Sequence, residues 1–180
     1  MSFYTRKGDD GYTGLLGEGR VPKYHRRPEA VGAVDEATSA LGMARAACAA
    51  PQIGPLILEV QRDLYLLMAE LAATPEEAAK FRATDDKRVA WLEAQIDSLS
   101  GSVSLPKEFI VPGDSAGGAA LDLARTAVRR AERRAAELYH LKEITNPSLL
   151  NYLNRLSSLC FVLELLENQH AGHPTALAKK

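Results

Sequence analysis

The chain has 180 residues, of which 46% are hydrophobic and 25% are charged, with 22 Lys and Arg against 23 Asp and Glu. This length fits one compact domain, and the balanced charge excludes both disorder from charge excess and general nucleic-acid binding. The longest uncharged run, residues 46–58, has 13 residues and two prolines, so we expect no membrane span, no secretion signal in the charged N-terminal segment, and a cytoplasmic location.

A helical period dominates the chain after residue 28, which predicts an all-α, five-helix bundle with ferritin-like up-down packing. A glycine-rich N-terminal arm, residues 1–25, precedes the bundle of residues 26–168, and a flexible tail, residues 169–180, follows it in one domain over 1–180. Cys48 and Cys160 fall in apolar helical patterns and are expected to be reduced core residues. The predicted helices span residues 28 to about 50, 57 to about 74, 86 to about 100, 116 to about 141 and 147 to about 168.

Two sequence signals delimit the predicted fourth helix. Ser115 is expected to cap its N-terminus. The segment before it, residues 102–113, contains Pro106 and Pro112 around Phe109, which predicts an extended or looped conformation.

The N-terminal arm combines glycines with hydroxyl and cationic side chains. Five of the 13 glycines lie within residues 8–19, where backbone N–H groups can point inward without obstruction from a Cβ atom. Thr13, Arg6 and Lys23 add donors, so the segment suits a polyphosphate, although the spacing of a Walker P-loop is absent. A flexible arm or a hairpin of tight turns remains the alternative.

A row of arginines marks the predicted fourth helix. Arg125, Arg129 and Arg133 recur every four residues, with Glu132 beside them, and Arg130 and Arg134 form a neighbouring row. This pattern favours an anionic ligand or a polar subunit contact, and a solvated helix face remains the alternative.

Polar residues also interrupt two other predicted helices. Asn151, Asn154 and Ser157 break the leucine-rich fifth helix, which indicates either a ligand or a buried polar contact between helices. Asp35 and Glu36 lie near the start of the first helix, where the helix dipole favours carboxylates.

In their order and spacing along residues 4–168, these segments resemble PduO-type ATP:cob(I)alamin adenosyltransferases. The matching segments are Thr5–Gly14, Val34–Glu36 with Ser39 and Gly42, Phe109–Gly113, Leu123–Thr126 with Arg129–Arg133, and Leu153–Ser157. The chain departs from the family pattern at Ala37–Thr38, Asp114 and Ser158.

The resemblance implies a transferase that moves the adenosyl group of ATP to the cobalt of a corrinoid such as cobalamin, with Mg²⁺ on the triphosphate and no dedicated protein metal site. Glu132 would either hold the adenosine or order the arginines. The residues that would bind ATP are Thr5, Arg6, Lys7, Gly8, Asp9, Thr13, Gly14, Lys23, Arg129, Arg130, Glu132, Arg133 and Asn154.

The resemblance also implies how the corrinoid is handled. Phe109 would drive the lower axial ligand from the cobalt, although from the residues alone it could simply pack under its loop. The family is trimeric with sites between subunits, and Asp35 of one subunit would pair with Arg125 of the next. The expected catalytic residues are thus Asp35, Arg125, Arg129 and Phe109. A corrinoid reductase and a cobalamin-dependent enzyme are expected partners.

Two other functions are compatible with a helical bundle. Glu137-x-x-His140 and Glu167-x-x-His170 have the spacing used by ferritin-like di-metal proteins. Both histidines, however, fall in the predicted last turn of a helix, where His commonly meets free carbonyls. A nucleotide-binding scaffold without catalysis is the other alternative.

Overall fold

The computed structural model describes residues 4–179, so the first three residues of the arm and the last residue of the tail lie outside the described residues. A small antiparallel hairpin of β1 and β2 precedes five helices, and a short 3₁₀ turn at Ala78–Phe81 follows the second helix. The predicted all-α bundle is confirmed. The elements are β1 Tyr12–Gly14, β2 Arg20–Pro22, α1 Arg26–Ala47, α2 Ile53–Ala72, α3 Asp86–Ser100, α4 Ala116–His140 and α5 Ser148–His170.

The helix starts follow from local capping. Ser115 accepts a hydrogen bond from the backbone N–H of Gly118 at 2.9 Å, so the predicted cap of α4 is confirmed. The imidazole of His25 caps α1 by accepting from Arg27, and this helix therefore begins at Arg26, two residues before Pro28. It ends at Ala47, earlier than predicted, because Cys48 adopts an extended backbone.

The core is formed by the helix faces that carry the apolar period. Helix α4 packs on both α1 and α5, α2 covers α1, and α3 covers α5. Leu41, Leu64, Leu121 and Leu153 are buried at this centre. Among the described helices, α5 alone is long and apolar enough to cross a membrane, and 67% of its most apolar window is buried inside the protein.

Helices α4 and α5 are held in a defined antiparallel register. Near one end, Gly117 lies so close to Glu167 that an added Cβ would approach the glutamate Cγ to 2.8 Å. Toward the other end, the Asn154 side-chain amide donates to Glu132 at 2.9 Å. This register determines which side chains of the two helices face each other.

The arm is attached to the end of α2 through Leu16. The backbone N–H of Leu16 donates to the Ala72 carbonyl at 2.9 Å, and Thr74 donates back to the Leu16 carbonyl at the same distance. Gly17 has a φ of +132° and lies against Thr74, whose Oγ1 would be 2.6 Å from an added Cβ. Only glycine fits this crossing without strain.

The tail makes backbone contacts that the sequence analysis did not predict. Helix α5 continues to His170, two residues beyond the predicted end. The chain then returns to pair Leu177 with Ile110, and the Ala178 N–H donates to the Phe109 carbonyl at 2.7 Å. These bonds connect the tail to the Phe109 loop, and the flexibility of residues 169–180 stays a prediction.

Candidate functional site

A cavity of about 660 Å³ lies between α4, α5 and the loop that follows α3, and we call it the loop cavity. Three of the four residues expected to be catalytic, Phe109, Arg125 and Arg129, line it together. They come from segments up to 20 residues apart in sequence, so it is the packing of the loop on α4 that brings them together. The rest of the lining includes Leu105, Pro106, Ile110, Asp122, Ser157 and Phe161.

Phe109 presents an exposed ring on a fixed backbone. Its side chain is 85% exposed, whereas its carbonyl accepts from Ala178 and the neighbouring Val111 N–H donates to the Ala176 carbonyl at 2.8 Å. The alternative that Phe109 packs under its loop is therefore wrong for this chain. An exposed aromatic ring at a cavity is available to a ligand.

Arg125 and Arg129 differ in how they are held. The Arg125 guanidinium makes an ion pair with Asp122 one turn earlier, with an Nη2 to Oδ1 distance of 2.6 Å, and Asp122 is largely buried. Arg129 is exposed and makes no hydrogen bond or ion pair within residues 4–179. One cation is thus fixed in orientation, and the other is free to bind an anion.

Of the remaining residues of the predicted ATP set on α4 and α5, three form side-chain pairs, whereas Arg133 is exposed and makes no hydrogen bond or ion pair within residues 4–179. Arg130 contacts Glu36 of α1 in a salt bridge. Glu132 accepts from Asn154, whose own amide oxygen accepts from Arg155 at 2.8 Å. Within residues 4–179 Glu132 makes no hydrogen bond or ion pair with an arginine, and its role, holding the adenosine or ordering the arginines, stays a prediction.

In the arm, most of the predicted ATP residues are exposed, and one unpredicted arginine organises their backbone. Thr5, Arg6, Lys7 and Asp9 are exposed, and the Lys23 ammonium lies beside Gly8, 3.0 Å from where a Cβ would be. Arg20 donates to both carboxylate oxygens of Asp10 at 2.8 Å and to the Lys7 carbonyl at 2.6 Å.

Arg20 is a residue that the sequence analysis missed. Its guanidinium holds the pKa of Asp10 below its usual range. The available signal was its position directly after the glycine run, where a cation can bridge the two strands of a hairpin.

Thr13, Gly14 and Asp35 line a second cavity, of about 520 Å³, which we call the arm cavity. It lies between the arm, α1 and α2, and Tyr65 also lines it. Asp35 is exposed, and no ion pair joins it to Arg125 within the described residues. Six of the predicted site residues of a single chain therefore line two separate cavities, three in each.

The geometry also bears on the di-metal alternative. Glu167 is buried and accepts from the backbone N–H groups of Ala49 and Ala50 at 2.9 and 3.0 Å, so its carboxylate is already used. His140 and His170 are exposed and end their helices. Within the described residues no group of three or more His, Cys, Asp or Glu side chains could hold a metal ion.

Comparisons with known proteins agree with this architecture. Residues 3–167 match the family model for cobalamin adenosyltransferase. The chain is 39% identical over its full length to the corrinoid adenosyltransferase PduO of Citrobacter freundii, of which the match covers 53%, so the chain spans about half the length of that relative. It is 37% identical to a corrinoid adenosyltransferase of Bacillus subtilis, with 96% of this chain and 89% of the relative covered.

Solved structures give the same result at the level of the fold. A PduO-type ATP:corrinoid adenosyltransferase from Lactobacillus reuteri, solved as a phenylalanine-to-alanine variant with cobalamin and ATP, superposes with a TM-score of 0.92 at 30% identity. The superposition covers 99% of this chain and 100% of that chain. With its five helices, its loop cavity and the matched residues 3–167, the chain belongs to the cobalamin adenosyltransferase family.

Proposed function

We propose that the chain transfers the 5′-deoxyadenosyl group of ATP to the cobalt of cob(I)alamin or a related corrinoid, giving adenosylcobalamin and triphosphate. The observation that carries this proposal is the loop cavity, where an exposed aromatic ring and a guanidinium without a partner in the described part of the chain face one space in a member of this family. In the transfer, the electron pair of cob(I)alamin forms a bond from cobalt to the ribose C5′, and the bond from C5′ to the triphosphate oxygen breaks.

The cations of α4 would act on the leaving triphosphate. Negative charge grows on its oxygens as the bond to C5′ breaks, and a positioned guanidinium stabilises that charge more in the transition state than in the ground state. Arg129 suits this role because no carboxylate of the described chain neutralises it. Arg133 continues the same helical row, and the glycine-rich arm would supply backbone N–H groups to the phosphates.

Phe109 would act on the corrinoid. A ring that occupies the space below the cobalt keeps the lower ligand away, and a cobalt without that ligand accepts an electron more easily. The exposure of the ring and the backbone bonds that fix its loop support this role. The reaction then needs no nucleophilic side chain, because the protein positions the two substrates.

Mg²⁺ would enter with the nucleotide. This ion keeps several waters and binds through phosphate oxygens with few protein ligands, which is compatible with described residues that offer no metal cluster. Bound there, it would neutralise part of the triphosphate charge.

The complete site is proposed to form between subunits of a homotrimer. Asp35 and Arg125 line different cavities of one chain, and an intersubunit pair would unite them. Exposed apolar side chains next to the arm cavity support such a contact: Leu58, Tyr65 and Leu66, which are 37%, 71% and 44% exposed, line one surface depression, and Tyr65 also lines the arm cavity with Asp35. A cytoplasmic location, a corrinoid reductase as electron source and a cobalamin-dependent enzyme as recipient of the product belong to the same proposal.

The test is to mix the purified chain anaerobically with ATP, Mg²⁺ and chemically reduced cobalamin and to follow the spectrum of adenosylcobalamin. We expect formation of the product, equal in amount to the triphosphate released. ATP binding without any spectral change would instead favour the nucleotide-binding scaffold. Sedimentation of the same sample measures the oligomeric state, and a monomer that is fully active would contradict the intersubunit site.

A further inference from the structure

Helix α5 contains a carboxyl group that the proposed reaction does not use. Glu164 is fully buried, with 0% exposure. Neither of its side-chain oxygens has a hydrogen-bond partner among the described residues. A buried acid without a partner is costly in its ionised form, so its presence in the core needs a reason.

The helix register places Glu164 behind the loop cavity. The contacts of Gly117 with Glu167 and of Glu132 with Asn154 define one antiparallel alignment of α4 and α5, and in that alignment Asp122 lies opposite Glu164. Asp122 is the residue that holds Arg125 at the cavity. Glu164 therefore lies on the core side of the Asp122 and Arg125 ion pair.

Charges from both neighbouring segments act on this carboxyl. Burial first, and then the negative charges of Asp122 on α4 and Asp114 in the preceding loop, raise the pKa of Glu164, Arg125 lowers it, and the net value is about 7. The Cys160 thiol, one turn earlier on α5, has a pKa that burial raises to about 12, so it stays neutral. Among the described residues α3 contributes no charge that shifts Glu164.

We propose that Glu164 is a positioning residue for Arg125, which rests on the proposed function of the loop cavity. When Glu164 is neutral, Asp122 is the only carboxylate of α4 and α5 that attracts the Arg125 guanidinium. Arg125 can then pair with a group on the cavity side. When Glu164 is ionised, two adjacent carboxylates attract Arg125 toward the core. The affinity for the corrinoid then falls as the pH rises through neutrality, whereas the affinity for ATP, which depends on Arg129 and the arm, does not.

The experiment compares the binding of cob(II)alamin, in the presence of ATP, at about pH 6 and about pH 8.5, which lie on either side of this ionisation. The unmodified protein should bind cob(II)alamin roughly fivefold more weakly at the higher pH, as expected when one charge interaction of moderate strength is redirected. Glu164→Gln, which is neutral at both values, should retain the tighter binding. Glu70→Gln is the matched control, because Glu70 is a buried carboxyl on α2 whose pKa burial also raises but which lies at neither cavity, and it should behave like the unmodified protein.

Equal pH dependence in the unmodified protein and in Glu164→Gln would overturn the inference. If Glu164→Gln fails to fold, the carboxyl carbon of Glu164 in the unmodified protein is titrated by nuclear magnetic resonance, and a midpoint below about pH 5, near the ordinary value for Glu, overturns it equally. The adenosyl transfer assay at about pH 6 separates the two proposals. Transfer there with no effect of Glu164 refutes only this inference, whereas absence of transfer in the unmodified protein refutes the proposed function.

Discussion

The loop cavity and the arm cavity are built in different ways. The loop cavity stands on two long helices in a defined register, with Arg125 held by Asp122. The arm side of the arm cavity depends on a hairpin of two three-residue strands and on the backbone bonds of Leu16 to the end of α2. It also depends on Arg20, which holds the turn around Asp10. Elements with few buried contacts open locally at low free-energy cost.

Because of this difference, we expect the two cavities to serve different steps of the reaction. Groups on rigid helices hold their orientation during the reaction, which is what stabilisation of a transition state requires. Groups on an exposed hairpin can move to admit and release a nucleotide. Substitutions at the loop cavity should therefore change the rate of transfer, and substitutions in the arm should change the affinity for ATP.

The largest effect is expected for Arg129→Ala. Loss of the unpaired guanidinium should lower kcat by roughly a thousandfold, because charge on the leaving triphosphate is no longer stabilised. Arg129 is exposed and without partners in residues 4–179, so the thermal unfolding midpoint should hardly change. Arg134→Ala on the same helix is the control and should retain near-normal turnover, and comparable loss in both variants would contradict a specific role for Arg129.

Phe109→Ala should separate control of the cobalt from positioning of ATP. With a mild reductant that must generate cob(I)alamin, turnover should fall by about a hundredfold, since the lower ligand can return to the cobalt. With cob(I)alamin supplied already reduced, the loss should be much smaller. Electron paramagnetic resonance of the cob(II)alamin complex measures the loss of the axial nitrogen, and an unchanged four-coordinate signal in the variant would refute the role.

Asp35→Asn tests whether the two cavities join between subunits. We expect the KM for the corrinoid to rise about tenfold, because Arg125 loses its partner across the contact. Glu29→Gln, an exposed carboxylate on the same helix, is the control. Combining Asp35→Arg with Arg125→Asp should recover part of the affinity, and sedimentation shows whether the trimer persists. Normal KM and assembly in Asp35→Asn would remove the pair from the site.

Arg20→Ala should weaken the arm alone. The KM for ATP should rise about fivefold, since Asp10 and the Lys7 carbonyl lose the group that orders their turn. The thermal unfolding midpoint of the protein should change by no more than a degree or two, because Arg20 is a surface residue. Glu18→Ala in the same segment is the control, and hydrogen exchange of the hairpin amides measures the order directly. Unchanged exchange would show that Arg20 does not hold the arm.

The smallest effect is a pH dependence of stability caused by Glu164. Its pKa in the folded protein is raised to about 7, above an unfolded value of about 4.3. The folded state thus binds the proton more tightly, and the stability that this proton adds, fully present below about pH 4, is lost as the pH rises through 7. Glu164→Gln should lack this slope in the free energy of unfolding measured by urea titration. The same slope in the unmodified protein and in Glu164→Gln would show that a group other than Glu164 causes the pH dependence.

Local patterns predicted the helices well where capping and periodicity agreed. Ser115 and the leucine spacing of α5 led to helices that the structure confirms to within a few residues. The start of α1 was misplaced because a His cap is a weaker sequence signal than a proline at a first turn. The contact between the tail and the Phe109 loop could not be predicted, because the two segments lie more than 60 residues apart in the chain and no periodic pattern links them.

By itself, the sequence determined the five helices, the arginine row of α4 and the resemblance that led to the site residues, since each depends on residues close together in the chain. Only the tertiary structure decided that Phe109, Arg125 and Arg129 share one cavity while Thr13, Gly14 and Asp35 share another. Only the tertiary structure placed Glu164, which in the sequence is an ordinary charged residue of a helical pattern, behind Arg125 and without a hydrogen-bond partner among the described residues. The physical reason is that cavities, ion pairs and burial arise from packing between distant segments, and the spacing of residues along one helix does not encode which helix will face it.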